Sequence, residues 1–181
     1  ELMTKHAPNL LTILRVALVP VFCWLLFADW QWLSLIVFWV AGITDLLDGW
    51  LARKRGLVSS FGKLADPIAD KALTGAAWIS LSILGVIAWP ATVLIMIREV
   101  GITVMRLMIA ETQVVPASKG GKWKTTLQIV VISAYLLLPI PAPALIQVLQ
   151  SLLLWITVAF TLITGLDYLK VLVPALKAQR R

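Results

Sequence analysis

DLLDGWLARKRGLVSSFGKLADPIAD, residues 45–70, carries four aspartates between two long apolar runs. Asp45, Asp48, Gly49, Ala52 and Arg53 fall at i, i+3, i+4, i+7 and i+8, one face of a helix. Gly62, Asp66 and Asp70 repeat at i, i+4 and i+8, again one face. A carboxylate within a membrane-spanning segment costs free energy unless it is paired, hydrated or metal-bound, so it marks function by default. Packing does not account for four of them at these spacings. They read as a metal site. Gly49 and Gly62 remove side chains beside the acids, which lets a helix or a ligand approach closely.

The surrounding chain is that of a membrane protein. Hydrophobic residues make up 60% of the 181 residues and charged residues 14%, with a mean hydropathy of +0.93. An average soluble domain has roughly 25% charged residues. A spanning helix needs about 20 mostly apolar residues, and six such stretches are predicted: 10–28, 31–53, 61–88, 91–111, 125–140 and 144–172. The fold expected is therefore an all-α integral membrane protein of six transmembrane helices, with residues 1–181 as one domain. Asn9 or Thr12 can cap the first helix. Pro90 suits the first turn of the fourth, where its missing N–H costs nothing. Cys23 is the only cysteine, so no intrachain disulfide forms. Glu1 in place of Met reads as a trimmed start.

Sixteen Lys and Arg against nine Asp and Glu give a net charge of +7, but no soluble basic segment exists to bind nucleic acid. Their distribution reports topology instead. Lys5, the group Arg53, Lys54, Arg55 and Lys63, the group Lys119, Lys122 and Lys124, and the tail Lys170, Lys177, Arg180 and Arg181 alternate with turns that contain no cation. Those turns lie near Asp29, Trp89 and Pro141. The positive-inside rule places both termini and both basic loops in the cytoplasm. Trp30, Trp32 and Trp89 then fall at the opposite interface, with Trp50 and Trp123 nearer the cytoplasmic one. At 1.5 Å per residue, Asp45 lies about 12 Å from the cytoplasmic end of its helix. The acids face a substrate that comes from the cytosol or the inner leaflet.

Oxygen ligands with no His or Cys nearby suit a hard cation, Mg²⁺, Mn²⁺ or Ca²⁺, rather than zinc. His6 lies outside the spans. Divalent ions on a carboxylate cluster at a membrane surface suit phosphate chemistry, because they neutralise a pyrophosphate and stabilise a leaving phosphate.

The spacing Asp-x2-Asp-Gly-x2-Ala-Arg-x8-Gly-x3-Asp-x3-Asp, met by Asp45, Asp48, Gly49, Ala52, Arg53, Gly62, Asp66 and Asp70, resembles the signature of the CDP-alcohol phosphotransferase family. NLLTILR at 9–15, LADPIADK at 64–71, IREVGITVMR at 97–106 and PASKGGKWKTT at 116–126 resemble its bacterial branch, the one that uses sn-glycerol 3-phosphate. The resemblance covers most of residues 8–130, and the sixth helix adds only hydrophobic length. It implies transfer of the phosphatidyl group from CDP-diacylglycerol to sn-glycerol 3-phosphate, with release of CMP, by a homodimer in the bacterial cytoplasmic membrane whose active site faces the cytoplasm. By the same resemblance, Asp45, Asp48, Asp66 and Asp70 would hold two Mg²⁺ or Mn²⁺ ions, and Asp70 would be the general base. Asn9, Thr12, Asp48, Gly49, Arg53, Ser59 and Gly62 contact CDP-diacylglycerol.

An anionic acceptor needs cations, and Arg106 on helix four with Lys122 and Lys124 at the start of helix five supply them. Arg98 and Glu99 read as a buried structural pair. Two alternatives stay open on sequence alone. One is the same chemistry with another alcohol, such as inositol phosphate or serine. The other is a cation-coupled transporter, although such sites lie near the midplane between repeated halves, and this chain has a single acidic cluster displaced toward the cytoplasm.

Overall fold

The structure, a computed structural model, describes the backbone of residues 2–55, 60–109, 119–138 and 142–179, and the side chains of residues 13–44, 71–108, 123–138 and 142–174. Among the described residues the chain forms six α-helices and no strand: α1 (Leu2–Phe27), α2 (Gln31–Arg55), α3 (Ser60–Ile83), α4 (Trp89–Ile109), α5 (Lys119–Leu137) and α6 (Ala144–Gln179). The helices match the six apolar stretches in number and order. Their ends differ. α1 begins eight residues before the predicted span, α5 six residues before, and α6 runs seven residues past it with Pro174 inside. Hydropathy reports the length of chain that lipid can cover, whereas a helix continues into polar sequence as long as its backbone bonds are met.

Two compact units divide the chain, residues 1–84 and 85–181. In the first, α1 packs along both α2 and α3, and among the described residues those two helices touch each other little. The turn from α1 to α2 is closed by a Schellman motif. Trp30 N–H donates to the Leu25 carbonyl at 2.9 Å and Asp29 N–H to that of Leu26 at 3.3 Å. Asp29 takes the left-handed position, φ 65°, which Asp tolerates better than most residues. In the second unit α4 and α5 each pack on α6. Gly85, φ 72°, ends the α3 segment earlier than its hydropathy suggests. Pro90 sits in the first turn of α4, as expected.

The contacts suit a protein in lipid, where close approach and polar contacts, rather than burial from water, drive helices together. Ala41, Ala77, Ala91 and Ser34 are fully buried, and Ser80 nearly so. Phe22 and Phe38 meet with ring centroids 6.1 Å apart, and Trp78 is buried in the same unit. Ser80 Oγ donates to Cys23 Sγ at 3.6 Å. The outward faces are apolar: Ile13, Val16 and Trp24 on α1, Trp32, Ile36 and Trp39 on α2, and Leu145, Leu149, Leu152 and Ile156 on α6 are all exposed. Soluble monomers rarely carry contiguous apolar surface on this scale. Among the described residues one helical stretch, Ala144–Pro174, is long and apolar enough to cross a membrane, with shorter apolar stretches at Ile13–Phe27, Gln31–Thr44 and Trp123–Leu137.

Candidate active site

Asp45 and Asp48 lie in the cytoplasm-facing half predicted for α2, and Asp66 and Asp70 in the first half of α3. The backbone is helical through all four positions, so the i, i+3 and i, i+4 spacings read from sequence act as helical faces. Both helices pack on α1. The side chains of the four aspartates, and those of Asn9, Thr12, Gly49, Arg53, Gly62 and Lys122, lie outside the described residues, as does Ser59 entirely. The donor set itself, four carboxylates with no thiol or imidazole in the motif, fits a hard divalent cation.

One part of the sequence reading is corrected by the backbone. Asn9 and Thr12 are not at the cap of α1, because helix continues back to Leu2. A cap side chain serves the unpaired N–H groups of the first turn, and both residues lie well past it. Their polar side chains are therefore not explained by capping. One turn on, Arg15 is buried at 2% exposure. A buried guanidinium is costly in a membrane helix, and Arg15 stands out in an otherwise apolar stretch. Within NLLTILR, residues 9–15, nothing in the local pattern signals that burial.

The second unit carries a buried polar cluster on three helices. Glu99 of α4 accepts at Oε1 from Arg98 Nη1 at 3.0 Å. Lys124 Nζ of α5 donates to the same oxygen. Gln128 Nε2, one turn along α5, lies 3.3 Å from it and 3.4 Å from Thr161 Oγ1 of α6. The Arg98, Glu99 and Lys124 side chains are about nine-tenths buried. The pairing expected between Arg98 and Glu99 is present, and Lys124 joins it. This places Lys124 against an acid inside the bundle, not free at the helix start. Arg106, two turns further along α4, is exposed at the helix end.

Gly165 of α6 explains how a guanidinium fits there. A Cβ at that position would stand 2.9 Å from Arg98 Cγ and 3.1 Å from its Nε. A Cβ contact under 3.0 Å is essentially never seen, so the Arg98 side chain would have to shift. Gly165, Thr161 and the buried Tyr168 share one face of α6 at i+4, i and i+7. That polar and small-residue face was the available signal for a role of α6 beyond hydrophobic length. Likewise Lys124 and Gln128, at i and i+4, mark one face of α5.

Comparison with known proteins joins these features. The family described as CDP-alcohol phosphatidyltransferase matches residues 5–163. The chain is 43% identical over 166 residues to a protein of Mycobacterium tuberculosis (strain ATCC 25618 / H37Rv) named probable phosphatidylglycerophosphate synthase, covering 88% of this chain and 78% of that one. It is 38% identical over 180 residues to the CDP-diacylglycerol–glycerol-3-phosphate 3-phosphatidyltransferase of Bacillus subtilis (strain 168), covering 90% and 93%. A protein of the same name from Rickettsia typhi (strain ATCC VR-144 / Wilmington) is 38% identical over 172 residues, covering 92% and 96%. The transporter alternative falls away, because the match runs through the acidic motif, the α4 cations and most of α6: this chain is a transferase of the CDP-alcohol phosphatidyltransferase family.

Proposed function

We propose that the protein transfers the phosphatidyl group of CDP-diacylglycerol to sn-glycerol 3-phosphate, giving phosphatidylglycerophosphate and CMP. The observation that carries this reading is the unbroken eight-position acidic motif, Asp45 to Asp70, in a chain whose relatives are named for that reaction over nearly their full length. The family match crosses both compact units, which supports one catalytic domain over residues 1–181.

The residues divide the work by chemistry. Asp45, Asp48, Asp66 and Asp70 would hold two Mg²⁺ or Mn²⁺ ions, which when bound neutralise the pyrophosphate and make CMP a better leaving group. Asn9, Thr12, Asp48, Gly49, Arg53, Ser59 and Gly62 bind the nucleotide end of CDP-diacylglycerol. The exclusion of capping for Asn9 and Thr12 supports that part. Asp70 takes the proton of the acceptor hydroxyl as that oxygen attacks the β-phosphorus. The bond from this phosphorus to the CMP oxygen breaks, and the leaving group carries its electron pair away. Arg106, Lys122 and Lys124 hold the acceptor phosphate. Arg offers paired donors and Lys a point charge.

The cation pattern supports six transmembrane helices with both termini and the active site toward the cytoplasm, in the bacterial cytoplasmic membrane. Acyl chains, and a second copy in a homodimer, cover the apolar faces of α1, α2 and α6. In a Cys23→Ala background, a cysteine at Lys54 or Trp123 is expected to react only from the cytoplasmic side, and one at Asp29 only from the other. Labelling of positions 29 and 54 from the same side would rule out this topology.

Product analysis tests the reaction itself. Purified protein given CDP-diacylglycerol is expected to form phosphatidylglycerophosphate with glycerol 3-phosphate and no phosphatidyl product with serine or inositol phosphate. A product with either of those acceptors, and none with glycerol 3-phosphate, would reassign the acceptor within the family.

A further inference from the structure

Three positions on α4 and three on α6 lie along one seam of the second unit. On α4 they are Arg98, Ile102 and Met105, at i, i+4 and i+7. On α6 they are Gly165, Tyr168 and Leu172, at i, i+3 and i+7. Arg98 lies in the notch left by Gly165. Ile102 forms one buried cluster with Tyr168 and Leu172, and Met105 packs against it. Leu172 is fully buried, and Ile102 and Tyr168 are nearly so. Tyr168 Oη is buried without a hydrogen-bond partner among the described residues, so the ring is held by its shape and not by a polar contact.

The seam reaches the turn that carries an acceptor cation. Among the described residues Ile102 is the last buried side chain of α4. Arg106 follows it by one turn, next to Met105, and is exposed in the last turn of the helix. Helix ends open more readily than helix middles, and an exposed Arg has rotamer freedom that binding must remove. A backbone anchored one turn back leaves only the side chain to be ordered, which lowers the cost of holding a ligand. Tyr168 and Leu172 both lie past residue 163, where the family match ends.

We propose that Tyr168 and Leu172 of α6 are positioning residues for acceptor recognition. Packed against Ile102 and Met105, they fix the last turn of α4 and with it the place of Arg106. This rests on Arg106 being an acceptor-phosphate ligand. It gives the end of α6 a part in acceptor affinity and none in the binding of CDP-diacylglycerol.

The test is steady-state kinetics of the purified full chain, each substrate varied with the other saturating, in single variants and in a double-mutant cycle with Arg106→Gln. Leu172→Ala removes buried volume from the seam. It is expected to raise the KM for glycerol 3-phosphate several-fold, up to the roughly tenfold of Arg106→Gln itself. The KM for CDP-diacylglycerol should not change. Leu172→Met, which restores the volume, should recover most of the loss, and Tyr168→Phe, which keeps the ring, should show none. In an Arg106→Gln background Leu172→Ala should add nothing, because the cation that the seam places is gone. A loss there as large as in the unaltered background would overturn the positioning role, as would an unchanged KM in Leu172→Ala alone. In both cases a raised KM in Arg106→Gln keeps Arg106 as the phosphate ligand. An unchanged KM in Arg106→Gln refutes that reading and the positioning role with it, while product analysis of the unaltered protein still decides the reaction. Equal losses with both substrates, or a fall in kcat alone, would make the seam structural only and refute the proposal. Should Leu172→Ala fail to fold, Leu172→Val makes the same comparisons with a smaller cavity.

Discussion

Asp66→Asn is expected to give folded protein with no measurable transfer, and Asp45→Asn the same. A carboxamide keeps the size and one oxygen of the side chain but removes the charge that holds a hard cation. Divalent ions held there would contribute several kcal/mol of charge stabilisation at a reacting phosphoryl group. At about 1.4 kcal/mol per tenfold, the rate should fall by roughly three orders of magnitude or more. A chelator should do the same to the unaltered protein, with activity returning on addition of Mg²⁺ or Mn²⁺. Binding can be followed apart from turnover through the spectrum of Mn²⁺, which should change with the unaltered protein and not with Asp66→Asn. Full activity in metal-free buffer would remove the mechanism, because the proposal gives the charge of the pyrophosphate to the metal ions.

The second large effect separates chemistry from acceptor binding. Asp70→Asn should lower kcat by about 10²–10⁴-fold, the usual contribution of a general base, while both substrates still bind. If Asp70 also holds an ion, the spectrum of bound Mn²⁺ will change as well, and the fall in kcat will be at the upper end. Arg106→Gln should act in the opposite sense. Exposed at its end of α4, Arg106 can be changed without opening a buried pair. Loss of a contact worth about 1.5–3 kcal/mol raises the KM for glycerol 3-phosphate roughly tenfold or more, with CDP-diacylglycerol binding intact. An unchanged KM would give the acceptor phosphate to the lysines alone. A fall in kcat with no change in KM would place Arg106 nearer the reacting phosphorus than its position suggests.

What could be read without coordinates is what is local along the chain. The eight motif residues lie within 26 positions, and helical periodicity alone puts their Cα positions on shared faces. Carboxylates in apolar sequence are costly enough that their chemistry could be inferred before any partner was known. The number and order of helices followed from runs of apolar residues for the same reason. So did the pairing of Arg98 with Glu99, adjacent in the chain and set in the middle of an apolar helix.

The helix ends and the long-range partners were decided by tertiary structure. Nothing in hydropathy distinguishes a helix that stops at the membrane surface from one that continues as α1 and α6 do. Lys124 looked like a loop cation because lysines next to it mark topology. It is buried because α5 starts at Lys119 and carries it inward to an acid 25 residues earlier in the chain. Thr161 and Gly165 read as parts of a hydrophobic span until α6 lies against α4 and α5, where one meets Gln128 and the other makes room for Arg98. Sequence therefore determined the helical faces of the acidic motif and the family, because spacing on one helix is enough to place residues on one face. The fold alone decided which cation answers Glu99, because that depends on the packing of three helices whose contacts no short-range pattern encodes.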